Sequence, residues 1–234
     1  VIVDTDVPDV PAAETDLQVA EVSEPRTRAD DKVATPVAVL APLAELYQAL
    51  VTATGDYVRK SGFTDVSLGL SGGIDSALVA TVAADALGAD HVHVVLMPSR
   101  YSSDHSVVDA EELATNLGIG TLTVPIESAH AALDSELVSS IGGTLTQVAD
   151  ENLQARIRGV MLMSLANTFD WLVLTTGNKS EAAVGYSTLY GDTVGAYAPI
   201  KDVYKTVVYE LARWRNERDG APVIPVSIIE SFSS

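Results

Sequence analysis

The chain has 234 residues, enough for one large core with an appendage, and sets 32 acidic against 14 basic side chains for a formal net charge of −18. Such a balance argues against binding to nucleic acid, because counterion release needs clustered Lys and Arg. An apolar share of 47 %, a mean hydropathy of +0.22 and a complete lack of cysteine exclude global disorder, disulfides, thiolate metal sites and a Cys nucleophile.

No apolar run reaches the ~18 residues of a membrane helix, and Val1-Ile2-Val3-Asp4 carries no basic flank of a signal peptide. A cytoplasmic protein without membrane contact is expected. The first thirty-two residues hold nine acids, three bases and Pro8, Pro11 and Pro25, so residues 1–40 read as an acidic linker, with a short exposed strand at Val1–Val7 as an option. The main domain spans 41–234. Leu43, Leu46, Tyr47, Leu50 and Val51 have helical spacing, and that helix runs towards Lys60.

After Gly62 strands and helices alternate. The pattern predicts a buried strand at Val66–Leu70, a helix at Ser76–Leu87, a strand at His91–Leu96 and a helix at Asp104–Leu117 closed by Gly118. A strand at Thr121–Val124, helices at Glu127–Ser140 and Glu151–Asn167, and a strand at Trp171–Leu174 follow. This order implies an α/β fold, an open parallel sheet with helices on both faces. Ligands of such sheets sit at the carboxyl ends of the strands, here just after Leu70, Leu96 and Leu174.

Ser71-Gly72-Gly73-Ile74-Asp75-Ser76 stands where a strand ends and a helix begins. Consecutive glycines let the backbone turn so that several N–H groups point at one anion near the positive helix end. The Ser71 and Ser76 hydroxyls add donors, whereas Asp75 makes sense beside a phosphate only if Mg²⁺ lies between them. The plain alternative is a strand-to-helix turn in which Asp75 favours the helix start. No Gly-Lys-Ser/Thr follows, so the string is not a Walker loop.

The string is similar to the signature of the ATP pyrophosphatases. Within that superfamily Gly69–Ser76, Asn152-Leu153-Gln154-Ala155-Arg156, Thr176–Glu181 and Gly185–Asp192 together resemble NAD synthetase, in colinear order over roughly Ala41 to Pro225. The resemblance implies a Rossmann-like sheet of the adenine nucleotide alpha hydrolase type. It also implies ATP-dependent amidation of deamido-NAD by ammonia through an adenylated acyl intermediate, with release of AMP and pyrophosphate. ATP would be bound by Gly69, Leu70, Ser71, Gly72, Gly73, Ile74, Asp75, Ser76, Thr176 and Lys205; deamido-NAD by Asn152, Arg156, Glu181, Tyr186, Ser187, Thr188 and Leu189; and Mg²⁺ by Asp75 and Glu181. No residue acts as a covalent nucleophile, and Lys205 stabilises charge on the departing pyrophosphate. The resemblance further implies a homodimer or larger homo-oligomer.

Asn152, Arg156 and Gly159 are spaced by four and three and share one helix face, where a ligand could come close to Gly159. Lys201 and Lys205 fall one turn apart on a helix expected after Pro199. His91, His93, His105 and His130 lack metal-ligand spacing and read as structural or exposed, and Arg213, Trp214 and Arg215 as core and surface packing. The acidic linker resembles the join to a glutaminase domain in glutamine-dependent members, whose amidase needs a cysteine. Either that domain belongs to a longer polypeptide or ammonia is taken directly. Beyond Ile224-Pro225 the chain departs from the family, running through Ile228-Ile229-Glu230 into Ser231-Phe232-Ser233-Ser234. Rival readings are a GMP or asparagine synthetase, disfavoured by the Thr176–Glu181 and Tyr186–Asp192 strings, a sulfur-inserting tRNA enzyme, disfavoured by zero cysteine, and a noncatalytic nucleotide-binding module on the same fold.

Overall fold

The computed structural model describes residues 39–100, 103–218, 220 and 222–231. The chain divides into 1–39 and 40–234, and the second unit is described below. The expected strand at Val1–Val7, nearly all of the acidic linker, and Phe232, Ser233 and Ser234 lie outside the described residues.

Helix α1 (Pro42–Lys60) opens with proline in its first turn, where the missing N–H costs nothing. Strand β1 (Val66–Gly69) follows, then α2 (Ile74–Leu87), a 3-10 turn at Ala89–His91, β2 (Val92–Leu96), α3 (Asp104–Leu117) and β3 (Gly120–Thr123). Next come α4 (Glu127–Ile141), α5 (Gln147–Phe169), β4 (Leu172–Val173), α6 (Lys179–Val184), α7 (Lys205–Arg218) and α8 (Val226–Glu230). The strands and long helices predicted between Pro42 and Leu174 are all present, with α5 starting earlier than expected because Thr146 caps it, accepting from Ala149 N at 3.3 Å. The helix expected to carry both lysines is shorter: Lys201 lies in a turn and α7 starts at Lys205. Residues 198–203 fold instead as turns that bury Ile200 and Val203, and the Val203 carbonyl accepts from Lys179 N at 2.9 Å.

All four strands are parallel in the order β3-β2-β1-β4. Val66 pairs with Val92 on one side and Leu172 on the other. Side chains alternate between two buried faces. Val66, Leu68, Leu70, Val92, Val94, Leu96, Leu172 and Leu174 belong to one core with α1, α2, α3, α7 and α8, while Val95, Met97 and Val173 join Ile157, Leu162 and Ala166 of α5 in the other. Burial on both faces explains why β2 and β4 read as apolar runs rather than alternating patterns, whereas edge strand β3 is exposed. Helix α2 is packed against the sheet, α1 and α7, and its Ile74–Ala83 stretch is apolar nearly all round, as such a position requires.

The chain builds outward from β1 through β2 to β3 and then returns to the opposite side of β1 for β4. The chain after β1 leads to β2 on one side and the chain after β4 leads to Tyr197, bridged to Leu174, on the other, and a crevice forms beyond the strand ends where such connections part. Among the described residues no helix is long and apolar enough to cross a membrane.

Candidate active site

The β1–α2 connection is shaped by serine and glycine. Gly72 has φ +80°, and a Cβ there would collide with the Ser106 carbonyl of α3, so only glycine fits. Ser71 N donates to Ser76 Oγ at 3.3 Å, Gly73 N to Ser71 Oγ at 3.2 Å, and Ser76 Oγ to the Gly73 carbonyl at 2.9 Å. The loop is thus pre-formed, with the first-turn N–H groups of α2 at its end. Those groups lack partners within the helix and attract anions.

Asp75 lies in that first turn and meets the segment after β4. Its Oδ1 accepts from Asn178 Nδ2 at 2.9 Å, and its Oδ2 is paired with Lys205 Nζ at the start of α7. Asn178 also caps α6: its Oδ1 accepts from Glu181 N at 3.1 Å while Glu181 Oε2 accepts from Asn178 N at 3.1 Å, a complete capping box. Burial raises the Glu181 carboxyl pKa, and repulsion from Asp75 and Asp192 adds to the rise, while the Asn178 N–H and Lys205 oppose it. Two carboxylates and one ammonium therefore sit within electrostatic reach at the β1–β4 crevice. The helix-start role weighed for Glu181 is real, and it coexists with this placement.

Beside the cluster lies a cavity of about 360 Å³, lined by Leu70 and Ser71 after β1, Leu96 at the end of β2, and Leu174 and Thr176 after β4. All three strand ends singled out from the sequence border it. Arg158 of α5 also lines it, donating through Nε to the Met97 carbonyl at 3.1 Å. No carboxylate pairs with Arg158 among the described residues, and burial lowers its pKa from the ordinary value. A half-buried cation with no counter-ion beside an empty volume suits an anionic ligand.

Asn152 and Arg156 do face the Tyr186–Asp192 segment. Thr188 Oγ1 donates to Asn152 Oδ1 at 2.6 Å and Arg156 Nε to the Leu189 carbonyl at 3.2 Å. At Gly159 the close neighbours are the Tyr190 and Gly191 carbonyls, where a Cβ would sit 2.8 and 3.2 Å away. The small residue there admits a loop, and Gly159 also lines the cavity. Tyr186 and Leu189 are exposed, at 77 % and 66 %, and it is Gly191 and Asp192 of this segment that reach the cavity.

His130 and His93 are structural and His91 and His105 exposed, as expected. His130 is buried and bonds Asp150 at 2.7 Å, and His93 bonds Asp65 at 2.9 Å and stacks on Trp171. Among the described residues no group of three or more His, Cys, Asp or Glu forms a metal cluster. Asp75 and Glu181 offer a pair of hard oxygen donors, and such a pair fits Mg²⁺, which takes few protein ligands and completes its shell with phosphate and water. The pairing of Asp75 with Lys205 shows that the position already accommodates positive charge. Arg158 and the Asn178 amide were missed from sequence. The only trace of Arg158 was its place between Ile157 and Gly159, both turned inward.

A family model described as NAD synthase matches residues 46–233. The glutamine-dependent NAD(+) synthetase of Rhodobacter capsulatus is 51 % identical over 212 residues, which are 86 % of this chain and 38 % of that protein. A structure of the glutamine-dependent enzyme from Acinetobacter baumannii in complex with ADP superposes with a TM-score of 0.82 at 50 % identity, covering 86 % of this chain and 38 % of that one. The NH3-dependent NAD synthetase of Campylobacter jejuni gives a TM-score of 0.72 at 33 % identity, covering 81 % of this chain and 77 % of that one. The chain spans 38 % and 32 % of the length of two glutamine-dependent relatives, from Rhodobacter capsulatus and Thermotoga maritima.

Proposed function

The chain belongs to the NAD synthase family, and from that premise we propose that it amidates deamido-NAD to NAD at the expense of ATP, releasing AMP and pyrophosphate. The observation that carries this is the joining of the Ser71–Ser76 loop to the Thr176–Glu181 segment through Asp75, Asn178 and Lys205 at the sheet crevice. ATP enters the cavity past Thr176, with Arg158 facing an anionic part of the ligand. An oxygen of the nicotinate carboxylate attacks the α-phosphorus as the bond to pyrophosphate breaks; ammonia then attacks the acyl carbon and AMP leaves. The α2 N–H groups, the Ser71 and Ser76 hydroxyls and Lys205 stabilise charge on the departing pyrophosphate. Asp75 and Glu181 would hold Mg²⁺, which supplies further neutralisation of the ATP phosphates.

Asn152, Arg156 and the Tyr186–Leu189 segment form the contact surface for deamido-NAD. The exposed Leu133, Leu137 and Ile141 of α4 and Val160 and Phe169 of α5 support a homo-oligomer, which sedimentation at micromolar concentration would reveal. Residues 1–40 act as a linker to a glutaminase domain like that of the longer relatives, and the need for ATP suits a cytoplasmic location. Mass spectrometry of products from ATP, deamido-NAD, Mg²⁺ and ammonium tests the activity. NAD, AMP and pyrophosphate in equal amounts are expected; binding of both substrates without turnover would leave a nucleotide-binding module in place of the enzyme.

A further inference from the structure

We propose that Asn178 is the positioning residue of the carboxylate pair, orienting Asp75 toward a divalent cation by a bond that the helix cap does not need. An N-cap requires only an acceptor, and Ser, Thr, Asp and Asn all provide one. Asn178 Oδ1 meets that need by accepting from Glu181 N at 3.1 Å. Its Nδ2 is a surplus donor, and it is spent on Asp75 Oδ1 at 2.9 Å, across 103 positions of sequence. The assignment of amide oxygen and nitrogen is unambiguous, since an N–H faces one end and a carboxylate the other. At 1 % exposure the side chain has no room to turn elsewhere.

Only an amide of this length performs both tasks. Serine caps but its one hydroxyl falls short of Asp75; aspartate caps but offers no donor. Asn178 also meets both acidic residues: its Nδ2 donates to the Asp75 carboxylate, its backbone N–H donates to the Glu181 carboxylate, and its Oδ1 accepts from the Glu181 backbone N–H. The second oxygen of Asp75 is held by Lys205. When that ammonium serves the phosphates, as proposed above, Asn178 is the partner that keeps Asp75 oriented. Being neutral, it fixes the carboxylate without cancelling the charge that a cation requires, which is the ordinary work of a hydrogen bond behind a metal ligand.

The role presupposes that Asp75 and Glu181 hold the metal, so the experiment includes Asp75→Ala. Mn²⁺ affinity is measured on the whole chain by proton relaxation in the presence of a non-hydrolysable ATP analogue, alongside thermal unfolding of each variant. Asn178→Ser is expected to weaken Mn²⁺ about tenfold with a melting temperature close to the parent's, because the cap survives. Asn178→Ala should weaken Mn²⁺ by the same factor and also lower the melting temperature, so that metal affinity follows the donor and stability follows the cap. In turnover, Asn178→Ser should raise the Mg²⁺ requirement and recover most of its kcat at saturating Mg²⁺. Should serine prove unstable, Asn178→Thr gives the same comparison. Mn²⁺ binding within twofold of the parent in Asn178→Ser, with binding lost in Asp75→Ala, overturns the positioning role alone. Unchanged binding in Asp75→Ala removes the metal assignment itself, and the role of Asn178 with it.

Discussion

Arg158 and Lys205 are two cations in contrasting positions. Lys205 is neutralised by Asp75, whereas Arg158, which has no carboxylate partner among the described residues, donates to the Met97 carbonyl and bears the cost of partial burial. A group held at such a cost usually serves a ligand. Arg158→Met, which keeps the side-chain bulk and removes the charge, is therefore expected to weaken ATP binding at least tenfold, as loss of a charged hydrogen bond does, while leaving the melting temperature unchanged or higher. Calorimetric titration with ATP and thermal unfolding read the two effects. A lower melting temperature with ATP affinity intact would mark Arg158 as structural. At this scale Asp75 and Glu181 were picked out because motif carboxylates stand at helix starts, and Lys205 through the family resemblance and its spacing from Lys201. The sequence could not display the surplus amide of Asn178 or the surroundings of Arg158, since each depends on what lies across the fold: a carboxylate 103 positions away in one case and, among the described residues, none paired in the other.

Among the elements, those with strong periodicity were legible and those fixed by tertiary contacts were not. Strands β1 and β2 and helices α2 and α3 fall close to where the apolar runs and Gly118 predict them. The start of α7 was misplaced because burial of Ile200 and Val203 overrides local helix preference between Pro199 and Tyr204. Nor did periodicity suggest what joins α1, α2 and α7. Asp85 of α2 accepts Tyr47 Oη of α1 at 2.7 Å and both Nε and Nη2 of Arg215 of α7, at 2.7 and 2.9 Å. Burial first, and the adjacent carboxylate second, push the Tyr47 phenol pKa far above its usual range, so it stays a donor. Asp85→Ala withdraws the fork-shaped partner of a buried guanidinium and should cost about 3 kcal/mol of folding free energy, at the low end for a broken buried pair because Asp85 retains some solvent contact. Urea unfolding measures it. A loss under about 1 kcal/mol, the range of exposed pairs, would mean that the network contributes no more than a surface ion pair.

For the molecule as a whole, the absence of cysteine reaches further than any single motif. An amide nitrogen can be taken from glutamine only after the side-chain amide is hydrolysed, and the amidase that accompanies this family does so with an activated thiolate. The chain has no cysteine to supply one. Its described residues form one parallel-sheet unit with the cavity at its strand ends. The matched part also covers most of an NH3-dependent relative, 77 % of its length, but only 38 % of a glutamine-dependent one. This polypeptide on its own is therefore expected to form NAD from ammonium and not from glutamine. Parallel assays with each nitrogen source, following NAD and glutamate together, make the comparison on protein free of other polypeptides. Glutamate appearing in step with NAD would require a hydrolytic site that works without a thiol, and a search for it would begin with Ser and Thr hydroxyls placed beside a histidine.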